Sequence, residues 1–230
     1  MFALTEALDV KAVANEVVAS LAGHCQIPTF SSRPGGLTLA QAYRVTPLLR
    51  AAFEARGEKI TGRKIGFTNR EMWKVYGVQS PIWGYATNRT THELASTKVM
   101  PIKDFTEPRI EPEIIFGLKA APLPGMNEAA LLDCIEWVTL GYEIVQSIFP
   151  GWKFAAADTV AANGVHGALV IGPPPGNCTT QNRVATRTSR LRCRTFLQWQ
   201  AEPARGRCSR TRQPSPSTAA SGRTAGERFV

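Results

Sequence analysis

Two glutamates separated by a single residue, Glu111-Pro112-Glu113, lie within the run Arg109-Ile110-Glu111-Pro112-Glu113-Ile114-Ile115-Phe116. The apolar, β-branched residues around them predict a strand, and side chains two apart on a strand leave the same face. At an effective dielectric of about 20, carboxylates about 4.5 Å apart repel by about 4 kcal/mol, so a cation or a shared proton must hold such a pair together. Two solvated glutamates on the outer face of an amphipathic strand would carry the same pattern. Pro112 donates no hydrogen bond and suits an edge or a bulge. Two more charged residues sit in comparable settings. Glu143 lies among apolar residues in Tyr142-Glu143-Ile144-Val145, and Lys64 alternates with apolar neighbours and glycines in Gly62-Arg63-Lys64-Ile65-Gly66. A lysine in such a strand is commonly a solvated side chain, so its spacing leaves both roles open.

The elements that must position these residues follow from periodicity. Leu4, Leu8, Val13, Val17, Val18 and Leu21 predict an amphipathic helix over residues 4–21, stopped by Gly23. Thr38 caps a second helix reaching about Arg56, with Gly57 as terminator and Pro47 expected to kink or split it. The strand around Lys64 runs from Ile60 to Thr68, and a turn and short helix lead from Asn69 to Tyr76. Trp73, Tyr76, Trp83 and Tyr85 could wall a pocket or pack into the core. After the glutamate strand, Asn127 caps a helix to about Trp137, Val138–Ser147 forms a strand, Ala155–Asn163 a short helix and Gly164–Gly172 a buried strand. His166 on that last strand reads as a core or rim histidine, and Cys134 as a small buried apolar residue.

Composition narrows the class. The hydrophobic content of 43% fits a globular protein with one substantial core. The start of the chain carries no signal-peptide pattern and no apolar run reaches membrane-spanning length, so a cytoplasmic, non-membrane protein is expected. The five cysteines, Cys25, Cys134, Cys178, Cys193 and Cys208, show no C-x-x-C pairing and argue against a disulfide framework or a zinc site. The net charge of +9 belongs to one end: residues 1–176 hold 16 basic and 16 acidic side chains, while residues 177–230 hold 11 arginines, no lysine and 2 glutamates. The expected organisation is a domain over residues 1–176, helical through residue 60 and sheet-forming from 61, followed by an Arg/Ser/Thr/Pro-rich tail over 177–230. Such a tail buries too little apolar surface to offset its ordering entropy, so it is expected to be disordered, or to be the product of a shifted reading frame.

Gly62-Arg63-Lys64-Ile65-Gly66, Gly77-Val78 to Gly84, Glu111-Pro112-Glu113-Ile114, Tyr142-Glu143-Ile144-Val145 and Ala157-Asp158 to Asn163-Gly164 together resemble the fumarylacetoacetate hydrolase superfamily. Within it, residues 4–175 are most similar to the 2-keto-4-pentenoate hydratase and 4-oxalocrotonate decarboxylase branch of aromatic-compound catabolism. The resemblance implies an α+β fold, a mixed β-roll of the superfamily's C-terminal-domain type with N-terminal and flanking helices, incomplete at its C-terminus. It implies that Glu111, Glu113 and Glu143 hold a divalent cation, that Lys64 is catalytic, and that Lys64, Trp83 and Gly84 bind substrate. Three hard oxygen donors with room for water favour Mg²⁺ or Mn²⁺ over zinc on chemical grounds alone. The implied function is a metal-dependent lyase acting on 2-oxo or 2-hydroxy dienoic acids. Water would add through a metal-stabilised enolate, with decarboxylation of a 2-oxo diacid as the alternative using the same electron sink. Asp158 and Asn163 fall in a family motif without an assigned catalytic role.

Two departures from the family pattern bear on this. Ile82 stands where the hydratases commonly carry an acidic residue after the proline, and nothing after about Gly176 resembles the relatives. The competing readings are an inactive, incompletely folded family member, and a binder of nucleic acid or acidic surfaces acting through the arginines of the tail. The expected partner is a small 2-oxo acid, not a nucleic acid, and the chain is a candidate homo-oligomer.

Overall fold

In the computed structural model, residues 8–97, 99–173 and 228–229 are described. Helix α1 (Val10–Gly23) begins where the Asp9 carboxylate accepts from the Lys11 amide and ends where His24 takes a left-handed conformation. It starts later than its apolar spacing suggested, since Leu8 and Asp9 already precede it. Helix α2 (Leu39–Ala55) opens with a reciprocal capping box between Thr38 and Gln41. Pro47 does not divide it. Ala42, Val45, Thr46, Leu49 and Phe53 all face the core, and that shared buried face carries the helix across the hydrogen bond the proline removes.

Strands β1 (Ile60–Gly66) and β2 (Ile82–Thr87) form an antiparallel pair, with helix α3 (Glu71–Tyr76) in the connection. The short β3 (Thr91–Glu93) leads to the long antiparallel pair β4 (Arg109–Leu118) and β5 (Ile135–Val145), joined through helix α4 (Glu128–Asp133). Helix α4 is shorter and β5 starts earlier than the sequence suggested. The ring of Trp137 lies over Gly117, where a Cβ would meet it at 2.0 Å, and this packing recruits Ile135–Trp137 into the strand. Cys134 is buried at the junction. Helix α5 (Ala156–Ala161) and β6 (His166–Ile171) follow.

One mixed sheet results, in the order β2-β1-β7-β4-β5-β6-β3, where β7 is the backbone of Arg228–Phe229. The sheet curls on itself. Strand β2, at one end of the order, packs against β6, and the Thr61 and Thr91 hydroxyls meet at 2.8 Å between β1 and β3. The main core lies between the curl and the helices. It gathers Val13, Val17, Val45, Leu49 and Val160 around Phe30 and Phe149, whose rings meet edge-on with centroids 5.9 Å apart. A smaller cluster, Ile115, Leu169 and Ile171, lies under Trp137.

The fold is therefore α+β, with a sheet core and flanking helices. Apart from the two residues of β7, the expectations for residues 177–230 lie outside the described residues. No helix among the described residues is long and apolar enough to cross a membrane.

Candidate metal and active site

The ladder between β4 and β5 sets the site. Glu111 pairs with Glu143 and Glu113 with Gly141, so all three carboxylates project from one face of the sheet. One carboxylate oxygen from each of Glu111, Glu113 and Glu143 lies within 4.8 Å of the others. Along Arg109–Ile115 only β5 pairs with β4 among the described strands, so Pro112 sits on an open edge where its missing donor costs nothing.

Lys64 enters from β1. Its side chain runs under Gly164, a left-handed residue at φ +66° where a Cβ would stand 3.0 Å from the lysine Cδ. The ammonium donates to the Gly164 carbonyl at 3.0 Å and lies 3.1 Å from Glu143 Oε2. Lys64 and Glu143 are both buried, at 4% and 0% exposure, so this ion pair is screened little by solvent. Glu143 Oε2 accepts no well-directed hydrogen bond. Its other oxygen, Oε1, lies 2.6 Å from Nδ1 of His166.

These contacts set the charge states. Burial and the neighbouring Glu143 push Glu113 up to about 7. Glu111 is raised as well, by desolvation on the side facing the site although the residue is exposed overall, and against the pull of Lys64. Glu143 goes the other way: burial would raise it, but the Lys64 ammonium and the His166 hydrogen bond prevail and hold it below its ordinary value. Burial would lower Lys64, yet Glu143 and Glu111 keep it above its ordinary value. The Lys64 ammonium thus faces three carboxylates, and the two raised ones release their protons less readily than ordinary glutamates. The residues fit a hard divalent cation: every converging donor is a carboxylate oxygen, Glu143 carries a buried oxygen without a hydrogen-bond partner, and added positive charge would relieve the repulsion.

The other expected residues are distributed around this centre. Gly84 pairs with Lys64 across the β1–β2 ladder, and a Cβ there would fall 2.2 Å from the Asn163 carbonyl. Its bareness lets the Asn163-Gly164 turn close over the lysine. Trp83, one residue along, leaves the opposite face of β2, where it packs beside Tyr43 and Tyr85 with Arg63 over its ring. The four aromatics do not wall one pocket: Tyr76 stacks instead with Phe154 and packs tilted against Phe67, and Trp73 donates to the Phe67 carbonyl. Ile82 is buried on the Lys64 face. Its Cγ1 and the lysine Nζ lie 3.2 and 3.6 Å from the point a Cβ on Gly66 would occupy.

Asp158 and Asn163 are structural here. The Asp158 carboxylate accepts from the Ser31 amide and hydroxyl and from the Ala155 amide, tying the loop after α1 to the start of α5. Asn163 grips Tyr85, accepting from its amide at 2.7 Å and donating to its carbonyl at 2.8 Å.

His166 is the site contact the sequence did not reveal. Along β5–β6, Glu143 pairs with Leu169 and Ile144 with Ala168, but Val145 then pairs with His166, skipping Gly167. In unbroken register His166 would leave the face opposite Glu143. The one-residue bulge at Gly167 brings it round. A glycine interrupting an apolar strand is the one sequence signal that could have suggested this.

No family model matches the chain. Among characterised proteins it is 34% identical to 2-hydroxyhexa-2,4-dienoate hydratase of Comamonas testosteroni over 59% of this chain and 52% of that protein. It is 30% identical to 2-hydroxypent-2,4-dienoate hydratase of Pseudomonas putida over 71% of this chain and 73% of that protein. Among solved structures, 4-oxalocrotonate decarboxylase from Pseudomonas putida G7, complexed with magnesium and adipate, superposes with a TM-score of 0.65 at 27% identity, covering 71% of this chain and 62% of that one. The chain thus spans about half the length of the hexadienoate relative. It belongs to the 2-keto-4-pentenoate hydratase/4-oxalocrotonate decarboxylase branch of the fumarylacetoacetate hydrolase superfamily.

Proposed function

We propose that this chain is a metal-dependent lyase of 2-hydroxy or 2-oxo dienoic acids, adding water to its substrate in the breakdown of aromatic compounds. The observation that carries this is the convergence of Glu111, Glu113 and Glu143 within 4.8 Å beside a buried lysine. The names of the hydratase relatives support the substrate class. Mg²⁺ or Mn²⁺ held by the three carboxylates would supply Lewis acidity to the oxygen at C2 of the substrate.

Lys64 supplies the second positive charge. Held on the Gly164 carbonyl and kept protonated by its glutamate neighbours, it acts as an electrostatic partner and proton donor to a developing oxyanion or carbanion, not as a base. Being clamped before substrate arrives, it needs little reorganisation during the reaction. Gly84 and Trp83 shape the site: Gly84 by admitting the Asn163-Gly164 turn, Trp83 by anchoring β2 from behind.

A specific observation favours decarboxylation as a second reading. Ile82 places a buried hydrocarbon beside Lys64 where a hydratase of the branch would commonly offer an acidic group to handle water. A vinylogous 2-oxo diacid losing CO₂ needs the same anion stabilisation and no such base. The test measures Mg²⁺-dependent loss of 2-hydroxypent-2,4-dienoate absorbance against CO₂ release from 4-oxalocrotonate, alongside calorimetric titration with MnCl₂. Water addition is expected to dominate. Dominant CO₂ release would select the second reading, and failure of the folded protein to take up Mn²⁺ would defeat both.

A further inference from the structure

The proposed chemistry leaves one buried titratable side chain in the site unused. His166 is 4% exposed, and both ring nitrogens have partners: Nδ1 meets Glu143 Oε1 at 2.6 Å, and Nε2 meets the Thr90 hydroxyl at 2.9 Å. A carboxylate oxygen can only accept, so Nδ1 carries a proton. The protons beyond it can be followed. Thr87 gives its hydroxyl proton to Glu58 at 2.7 Å, because that carboxylate also only accepts. The Thr87 amide donates to Thr90 Oγ1 at 3.0 Å, and the Thr90 hydroxyl is left to pair with Nε2 at 2.9 Å and with the Thr87 carbonyl at 3.3 Å.

Thr90 therefore holds the far side of the ring while Nδ1–H points at Glu143. The bulge at Gly167 is what aims that proton at Glu143. With Oε1 engaged by the histidine, Glu143 has Oε2 facing Lys64, and one of its oxygens forms the cluster with Glu111 and Glu113.

We infer that Thr90 and His166 are positioning residues that lock Glu143 into the orientation from which it grips the cation. This rests on the metal-dependent function proposed for the site, and it goes beyond it by naming what orients the ligand. Hydrogen-bonded partners behind a metal ligand commonly change metal affinity by about 10- to 100-fold.

The test is calorimetric titration of the full chain with MnCl₂, with far-UV circular dichroism as a check on folding. His166→Asn keeps an N–H near the position of Nδ1 and is expected to bind within about threefold of wild type. His166→Gln reaches the Thr90 side instead, and Thr90→Val frees the far side of the ring; each is expected to weaken binding by about tenfold or more. In ¹⁵N-histidine spectra of the metal-free wild type, Nδ1 of His166 is expected to carry a proton. A folded His166→Gln that binds Mn²⁺ like wild type, equal losses in the Asn and Gln variants, or a ring proton on Nε2 alone would each overturn the inference while leaving the metal site standing. Should the histidine variants misfold, Thr90→Val and the wild-type spectrum decide the matter. Absence of Mn²⁺ uptake by wild type would instead bring down the metal reading and this inference with it.

Discussion

Glu111 stands directly across the β4–β5 ladder from Glu143. Like charges opposed in this way destabilise a sheet, and here Glu113 adds a third. The Lys64 ammonium pairs with Glu143, and Glu113, pushed up to about 7, takes up a proton more readily than an ordinary glutamate; the repulsion that remains is what a bound cation would relieve.

That repulsion gives the acidic residues opposite signs on mutation. Glu113→Gln removes repulsion with little change of shape, so it should raise the melting temperature of the metal-free protein while weakening Mn²⁺ binding. Glu143→Ala should abolish binding and also destabilise the fold by about 3 kcal/mol, because it strands the buried Lys64 ammonium. Paired melting and calorimetry measurements separate the two effects. A stabilised Glu143→Ala protein would contradict the ion-pair assignment.

The pH response follows from Glu113. Its folded-state value of about 7 lies above the ordinary 4.5, so the folded chain holds a proton that the unfolded chain has released. The associated stability is present below about pH 4.5 and is lost as pH rises through about 7. The depressed Glu143 acts only in more acidic solution, outside this window. Metal-free protein should therefore lose melting temperature from pH 5 to 8 through this group. Saturating Mg²⁺ should offset the loss, and apparent metal affinity should climb over the same range.

Lys64→Met removes the fixed positive charge without emptying its channel. Turnover should fall by about 10²- to 10⁴-fold, the range usual for a lost proton donor, while Mn²⁺ still binds. Steady-state kinetics on the dienoate would check this. An unchanged kcat would remove Lys64 from the chemistry.

The supports behind the site should be sensitive in folding rather than chemistry. Gly84→Ala drives a Cβ to 2.2 Å from the Asn163 carbonyl, backbone against backbone, and should cost about 2 kcal/mol or more in urea unfolding. Asp158→Ala leaves the Ser31 and Ala155 amides without their acceptor and should cost about 3 kcal/mol. An Asp158→Ala enzyme of ordinary stability but no activity would reverse the structural role given to this residue.

Sequence alone determined what lies along single strands and helices. The two-residue spacing of Glu111 and Glu113, the Thr38 cap of α2 and the apolar faces of α1 and α2 are all written locally, because periodicity and capping involve residues only a few positions apart. The motifs also carried enough family resemblance to propose Glu143 and Lys64 as parts of one site. Only the tertiary structure could decide what depends on register and long-range packing. Pro47 stays inside one helix because a shared core holds both halves, and Trp83 turns away from Lys64 because strand alternation leaves it no other side. His166 reaches Glu143 because one extra residue at Gly167 inverts its face. A strand read alone has a period but no partner, and the partner's register decides which side chains meet.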